Sequence, residues 1–336
     1  MVRLFQFREY TPEHISIKAN EMLNSNDKMY SSNESLNIDL TMDDLLQKYA
    51  SLKESLGNYA ADGLVVAFSG GVDSGFLLWA AEDARRENGG KLIALTTNSE
   101  SMPAHDREDV EKFIRQVGIK HIWKDSAEVD DPEYTKNDSL RCYYCKTELF
   151  NIAKQVAVEN GCKRIAYGYS ASDKTDVRPG HQAALENDIL FPLAAYDFTK
   201  PEIRELMRLN GFELYDKPSS PCLSSRIMKG VQITKAELRD VDDLESILRE
   251  GGMRIFRLRV HELNGPNGSS EGILSRRDPF GRDLRDKHFL RLETAPEEMT
   301  LALQLREKLT EEAKKRGYLW VTLDLEGYKT GGGTTS

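Results

Sequence analysis

The chain has 336 residues, enough for about two domains that each bury a core of their own. Hydrophobic residues make up 39% and charged residues 30%, as in a globular protein, and a net charge of −9 argues against a stable nucleic-acid partner. No apolar run approaches the roughly 18 residues of a membrane helix, and no apolar signal core opens the chain. Glu9, Glu13 and Glu21 are unlike an acid-poor transit peptide, so the expected location is the cytoplasm.

Residues 1–40 are rich in Asn, Ser and Met and read as a partly ordered extension. Thr41 then caps an amphipathic helix with Leu45, Leu46, Tyr49, Leu52 and Leu56 on one face. Apolar runs at 64–68, 92–97, 119–123, 163–167 and 189–193 read as buried strands, with helical runs near 74–88, 105–117, 144–159 and 199–210 between them. Such alternation predicts a doubly wound α/β domain over 41–225, a parallel sheet with helices on both faces. From 226 to 330 the order changes to helix (234–250), strand (255–260), strand (289–293), helix (296–316) and strand (319–325). That order predicts a smaller α+β domain with an antiparallel sheet, for substrate and subunit contacts. The basic, Gly-rich stretch 263–288 is read as a solvated insertion in preference to a lid carrying Arg276, Arg277, Arg282 or Arg285, and 331–336 as a disordered tail.

Ser69-Gly70-Gly71-Val72-Asp73-Ser74 lies between the first strand and its helix. A turn of this kind aims backbone N–H groups and the positive end of a helix dipole at one spot, and paired glycines let a phosphate approach. Ser69 and Ser74 can donate hydroxyl hydrogen bonds, and Asp73 can hold Mg²⁺ beside the phosphates. No Lys follows the glycines, so the loop is not GxxxxGK[ST]. Ligands of such sheets sit at the carboxyl ends of the strands. The turn after the fourth strand, Gly168 to Gly180, falls on that edge; there Asp173 is a candidate for Mg²⁺ and Arg178 for a phosphate or carboxylate.

Four cysteines do not make a disulfide framework. Cys142 and Cys145 form a CxxC at the start of a helix, where the dipole favours thiolate. Cys222 stands in Lys217-Pro-Ser-Ser-Pro-Cys222-Leu-Ser-Ser-Arg226, whose prolines impose an extended path. Arg226 could stabilise its thiolate or hold a phosphate; a buried, inert cysteine is the equal alternative. Cys162 reads as packing. Three cysteines, Cys142, Cys145 and Cys222, leave one ligand position open, which suits a [4Fe–4S] cluster better than closed zinc. Arg257 and Arg259 share one strand face, as phosphate recognition would need; a solvated sheet face is the equal alternative.

The SGGVDS loop resembles the pyrophosphate loop (PP-loop) of the N-type ATP pyrophosphatases. Together with RCYYCK (141–146), DVRPG (176–180), KPSSPCLSSR (217–226), RLRVHE (257–262) and DLEGYKTG (324–331), it makes residues 41–332 resemble the LarE family. These are ATP-dependent sulfur transferases of nickel-pincer nucleotide biosynthesis. The resemblance implies a small-molecule nucleotide substrate similar to pyridinium-3,5-dicarboxylate mononucleotide, adenylated on a carboxylate with ATP and Mg²⁺, and a homo-oligomeric enzyme. It also implies that Cys222 donates its sulfur and becomes dehydroalanine. In members with a CxxC, the three cysteines are instead thought to hold a [4Fe–4S] cluster carrying an extra sulfide, and this chain, having all three, leans to that route. Lys329 replaces the family's closing arginine, and the 263–288 insertion interrupts a connection that is usually short. Three other functions compete. An amidating synthetase would have no use for Cys222, a tRNA thiolase would bind tRNA at low salt, and an ATP-sensing interaction module would release no AMP or pyrophosphate.

Overall fold

A computed structural model describes residues 41–174, 179–263 and 288–329. The 1–40 extension, Arg178, nearly all of the 263–288 insertion and the tail after 329 lie outside the described residues.

The first strands are short apolar runs that alternate between two cores. They are β1 (Leu64–Ala67), β2 (Leu92–Asn98), β3 (His121–Asp125) and β4 (Arg164–Tyr167), all parallel in the order β3-β2-β1-β4. Leu64 and Val66 of β1 face a core shared with the helices Met42–Ala61, Val72–Asn88 and Ala104–Val117. Val65 and Ala67 face the opposite core, under the helices Arg141–Asn160 and Pro179–Glu186. Period-two alternation with both faces buried is the doubly wound α/β arrangement expected from the sequence. The first helix is fixed at its start by a reciprocal cap, in which Asp44 N donates to Thr41 Oγ1 and Thr41 N to Asp44 Oδ2.

The expected fifth strand at 189–193 is reduced to one parallel bridge, Ala166 with Leu190. Pro192 explains the loss: it cannot donate to a ladder, and it starts the short helix Pro192–Ala195 instead.

The C-terminal unit is built from the helix Lys235–Glu250, strands β5 (Phe256–Glu262), β6 (His288–Thr294) and β7 (Val321–Leu323), and the helices Met299–Gln304 and Arg306–Lys315. Its sheet is mixed, which corrects the antiparallel expectation. β5 and β6 pair antiparallel, but the helical return after β6 brings β7 in parallel. The long helix expected at 296–316 is a 3₁₀ turn followed by two helices that meet at Leu305, whose side chain lies against Gly251. The strand expected at 319–325 shortens to three residues. This unit's core also takes in Val129 and Tyr134 from the first domain, with Tyr144 and Cys145 packed against it. The start of the CxxC helix is therefore wedged between the two units.

Candidate active site

The strand order reverses between β1 and β4, so the loops that follow these two strands open the crevice where ligands of such sheets bind. SGGVDS follows β1 and the 168–173 turn follows β4. Gly70 has φ +74°, a left-handed conformation that a side chain would strain. Gly71 caps the Val72–Asn88 helix without a side-chain bond, which leaves the first-turn N–H groups to a ligand. Ser69 Oγ lies 3.2 Å from Ser74 Oγ, and Ser74 Oγ donates to Gly71 O at 3.1 Å. The two hydroxyls thus form one edge of the cradle. Gly168 closes the other side so tightly that a Cβ there would stand 2.5 Å from Ser74 N.

Asp73 and Asp173, chosen separately from the sequence, meet across this crevice through Lys200. Lys200 Nζ is 2.9 Å from Asp173 Oδ1 and 3.9 Å from Asp73 Oδ2. Burial pushes Asp173 up, but hydrogen bonds from Lys200 and from Ser170 outweigh it and hold its carboxyl below the usual aspartate value. Asp73 is a hard oxygen donor at the start of the helix, beside the cradle, and this suits a Mg²⁺ ion shared with phosphate oxygens.

The Cys222 segment crosses this edge and is bonded to both units. Lys217 Nζ donates to Gly70 O at 2.9 Å and pairs with Asp106 and Asp109 at 2.7 and 2.6 Å. Ser220 Oγ donates to Asp106 Oδ2 at 3.0 Å, and Leu223 N to Ser101 O at 2.7 Å. Ser101 belongs to the turn after β2, where its hydroxyl and those of Ser99 and Ser126 bond the buried Glu128. Tyr134 Oη lies 2.6 Å from Ser224 Oγ. Arg141 donates to Ser224 O at 2.8 Å and to Asn137 Oδ1 at 2.6 Å.

Of the four arginines chosen from the sequence, Arg178 lies outside the described residues, Arg226 ends this segment, and Arg257 and Arg259 bond its backbone. Arg226 is 1% exposed and pairs with the fully buried Glu245 at 3.0 and 3.1 Å. It also donates to the carbonyls of Pro221 and Cys222 and to Ser225 Oγ. Its charge is thus spent on Glu245 and on holding the loop. Arg257 donates to Ser219 O and lies 5.0 Å from the ring centre of Tyr328, in the closing DLEGY. Arg259 pairs with Glu293 at 2.6 Å and donates to Ser225 O at 3.0 Å. Both are buried, so the solvated-face alternative fails. Burial and the neighbouring Arg226 lower the pKa of Arg257, as expected where cations crowd and an anion would be welcome.

Cys142 is exposed, with Sγ 4.0 Å from Arg141 Nη2, while Cys145 and Cys222 are half-buried and Cys162 is packed in the first domain. Burial pushes the Cys145 thiol up to about 12, and negative charge on Cys222, Glu128 or Cys142 adds to the rise. Among the described residues no three His, Cys, Asp or Glu side chains converge as a single-ion site. Three cysteine thiolates match a [4Fe–4S] cluster with one open position in donor type and number alone.

Lys200, Lys217, Glu128 and Gly168 escaped the sequence reading as site residues. Lys217 and Gly168 stood inside quoted motifs and could have been found there. Lys200 and Glu128 carried no local signal, since their partners are remote in sequence.

No family model matches the chain. It is 32% identical over 289 residues to an uncharacterized protein of Synechocystis sp., covering 85% of this chain and 97% of that one. It is 25% identical over 269 residues to the pyridinium-3,5-bisthiocarboxylic acid mononucleotide synthase of Lactiplantibacillus plantarum, covering 80% and 87% respectively. An uncharacterized protein of Methanocaldococcus jannaschii is 24% identical over 230 residues, covering 65% and 82%.

Proposed function

The chain belongs to the LarE family, and from that premise we propose that it is an ATP-dependent sulfur transferase acting on pyridinium-3,5-dicarboxylate mononucleotide. The product would be a thiocarboxylate of the kind in the name of the L. plantarum synthase. One observation carries this reading: the phosphate cradle and the Cys222 segment are a single bonded unit. Lys217 joins the segment to Gly70, and Leu223 joins it to the turn after β2.

A bare carboxylate repels nucleophiles and has no leaving group, so activation comes first. Ser69, Ser74 and the first-turn N–H groups bind the phosphates, and Asp73 would hold the Mg²⁺ that offsets their charge. A substrate carboxylate oxygen attacks the α-phosphorus, the bond to the α,β-bridging oxygen breaks, and pyrophosphate leaves with its electron pair. Arg257 and Arg259 attract the anionic substrate towards Cys222. The Cys222 thiolate then adds to the acyl-adenylate carbonyl and AMP departs, leaving a thioester. Loss of the Cys222 Cα proton to a base and departure of sulfur with the Cβ–S electron pair give dehydroalanine and the thiocarboxylate. Held by Cys142, Cys145 and Cys222, a [4Fe–4S] cluster would instead supply sulfide and spare Cys222.

The test is product analysis with the dicarboxylate nucleotide, ATP and Mg²⁺. AMP and pyrophosphate should appear only with substrate, alongside thiocarboxylate. C222A should still adenylate, seen as pyrophosphate exchange into ATP, and should make no thiocarboxylate. Amide product, or undiminished thiocarboxylate from C222A, would overturn the reading.

A further inference from the structure

The SGGVDS loop has no lysine, yet the pyrophosphate leaving from it carries a large negative charge that a cation must balance. The fold places two lysines at the loop. Lys217 is 12% exposed and is already engaged by Asp106, Asp109 and Gly70 O. Lys200 differs: its side chain is 42% exposed, and its Nζ hangs between Asp173 and Asp73 at the mouth of the cradle.

We propose that Lys200 is the cation that clamps the β- and γ-phosphates of ATP and then the departing pyrophosphate. Three features support it. The backbone is fixed, because Lys200 N donates to Ser172 Oγ at 3.0 Å and the preceding Thr199 caps the Lys200–Leu209 helix reciprocally with Glu202. The side chain is aimed, because Asp173 is held by Ser170 N and Ser170 Oγ at 3.1 and 2.9 Å and cannot follow the lysine. The contact to Asp73 is long at 3.9 Å, a separation at which a second cation on Asp73 would turn attraction into repulsion. Mg²⁺ arriving on Asp73 would release Nζ from that carboxylate towards the incoming phosphates. When the α,β-bridging oxygen takes the electron pair of the breaking bond, the ammonium neutralises it without a proton changing hands.

This inference rests on the ATP-dependent reading above, and the two can fail separately. The experiment is calorimetric titration of the wild type, K200M and K200R with inorganic pyrophosphate and with AMP, both with Mg²⁺. Loss of one charge-assisted contact predicts pyrophosphate binding weakened about tenfold or more in K200M. AMP, which lacks the β- and γ-phosphates, should bind K200M as it binds the wild type, and K200R should retain most of the pyrophosphate affinity. A purely structural lysine would weaken both ligands together, and that result overturns the proposal. So does K200M binding pyrophosphate within twofold of the wild type. If K200M does not fold, K200Q, which also removes the charge, takes its place: equal losses for AMP and pyrophosphate, or no loss for pyrophosphate, refute the clamp. A wild type that binds neither ligand refutes the ATP-dependent function as well.

Discussion

Arg226 offers a sharp test, because the sequence placed it as a partner of the thiolate or of phosphate and the structure gives it to Glu245. Consider Arg226→Met, which keeps most of the buried stem and removes the charge. Glu245, with no exposure, then keeps Leu258 N at 3.0 Å as a hydrogen-bond donor and the more distant Arg249, at 3.8 Å, as a cation. Leaving such a charge without its partner costs about 3–5 kcal/mol. The carbonyls of Pro221 and Cys222 also lose their donor, adding about 1 kcal/mol or more. In the double variant Arg226→Met/Glu245→Met the orphaned charge is gone, while the carbonyls and Leu258 N remain unbonded. The double variant should therefore be more stable than the single one by about 2–3 kcal/mol. Urea denaturation of wild type, both singles and the double measures this. A single variant within about 1 kcal/mol of wild type, or a double no better than R226M, would refute the buried-pair account.

Two further variants probe the cradle and the C-terminal sheet. Gly168→Ala places a Cβ 2.5 Å from Ser74 N, so the cradle must shift, and AMP and pyrophosphate titrations should both weaken at least about tenfold; unchanged affinities would show that the cradle tolerates the shift. Burial and the nearby Arg291 and Arg259 lower the His261 pKa from 6.5 to about 4, so the unfolded chain binds the extra proton between those values. Stability tied to neutral His261 is complete above pH 6.5 and is lost as pH falls towards 4; at pH 5, after screening, the loss is about 1 kcal/mol. His261→Gln should flatten that part of the urea-midpoint profile, and an unchanged slope would remove His261 as its cause.

The first domain was legible because its strands are short apolar runs between periodic helices. β1 and β2 lie where the runs at 64–68 and 92–97 placed them. The run at 189–193 misled because apolar content hid the effect of Pro192. The C-terminal sheet misled differently: sequence order suggests hairpins, whereas the helices between β6 and β7 allow a parallel return. Arg257 and Arg259 were correctly placed on one face by the two-residue period. That the 217–226 segment covers this face is a long-range contact with no local signature. The same holds for Lys200, whose partners Asp73 and Asp173 lie far from it in the chain.

Sulfur delivery at Cys222 is the central claim. The most direct measurement is intact-protein mass with peptide mapping over Cys222, before and after anaerobic turnover with ATP, Mg²⁺ and the dicarboxylate nucleotide. Direct donation predicts loss of the elements of H₂S at Cys222, one for each thiocarboxylate formed. Thiocarboxylate made by a protein of unchanged mass would contradict direct donation and move the sulfur source to a cluster held with Cys142 and Cys145. Neither thiocarboxylate nor a change at Cys222 would contradict sulfur transfer itself.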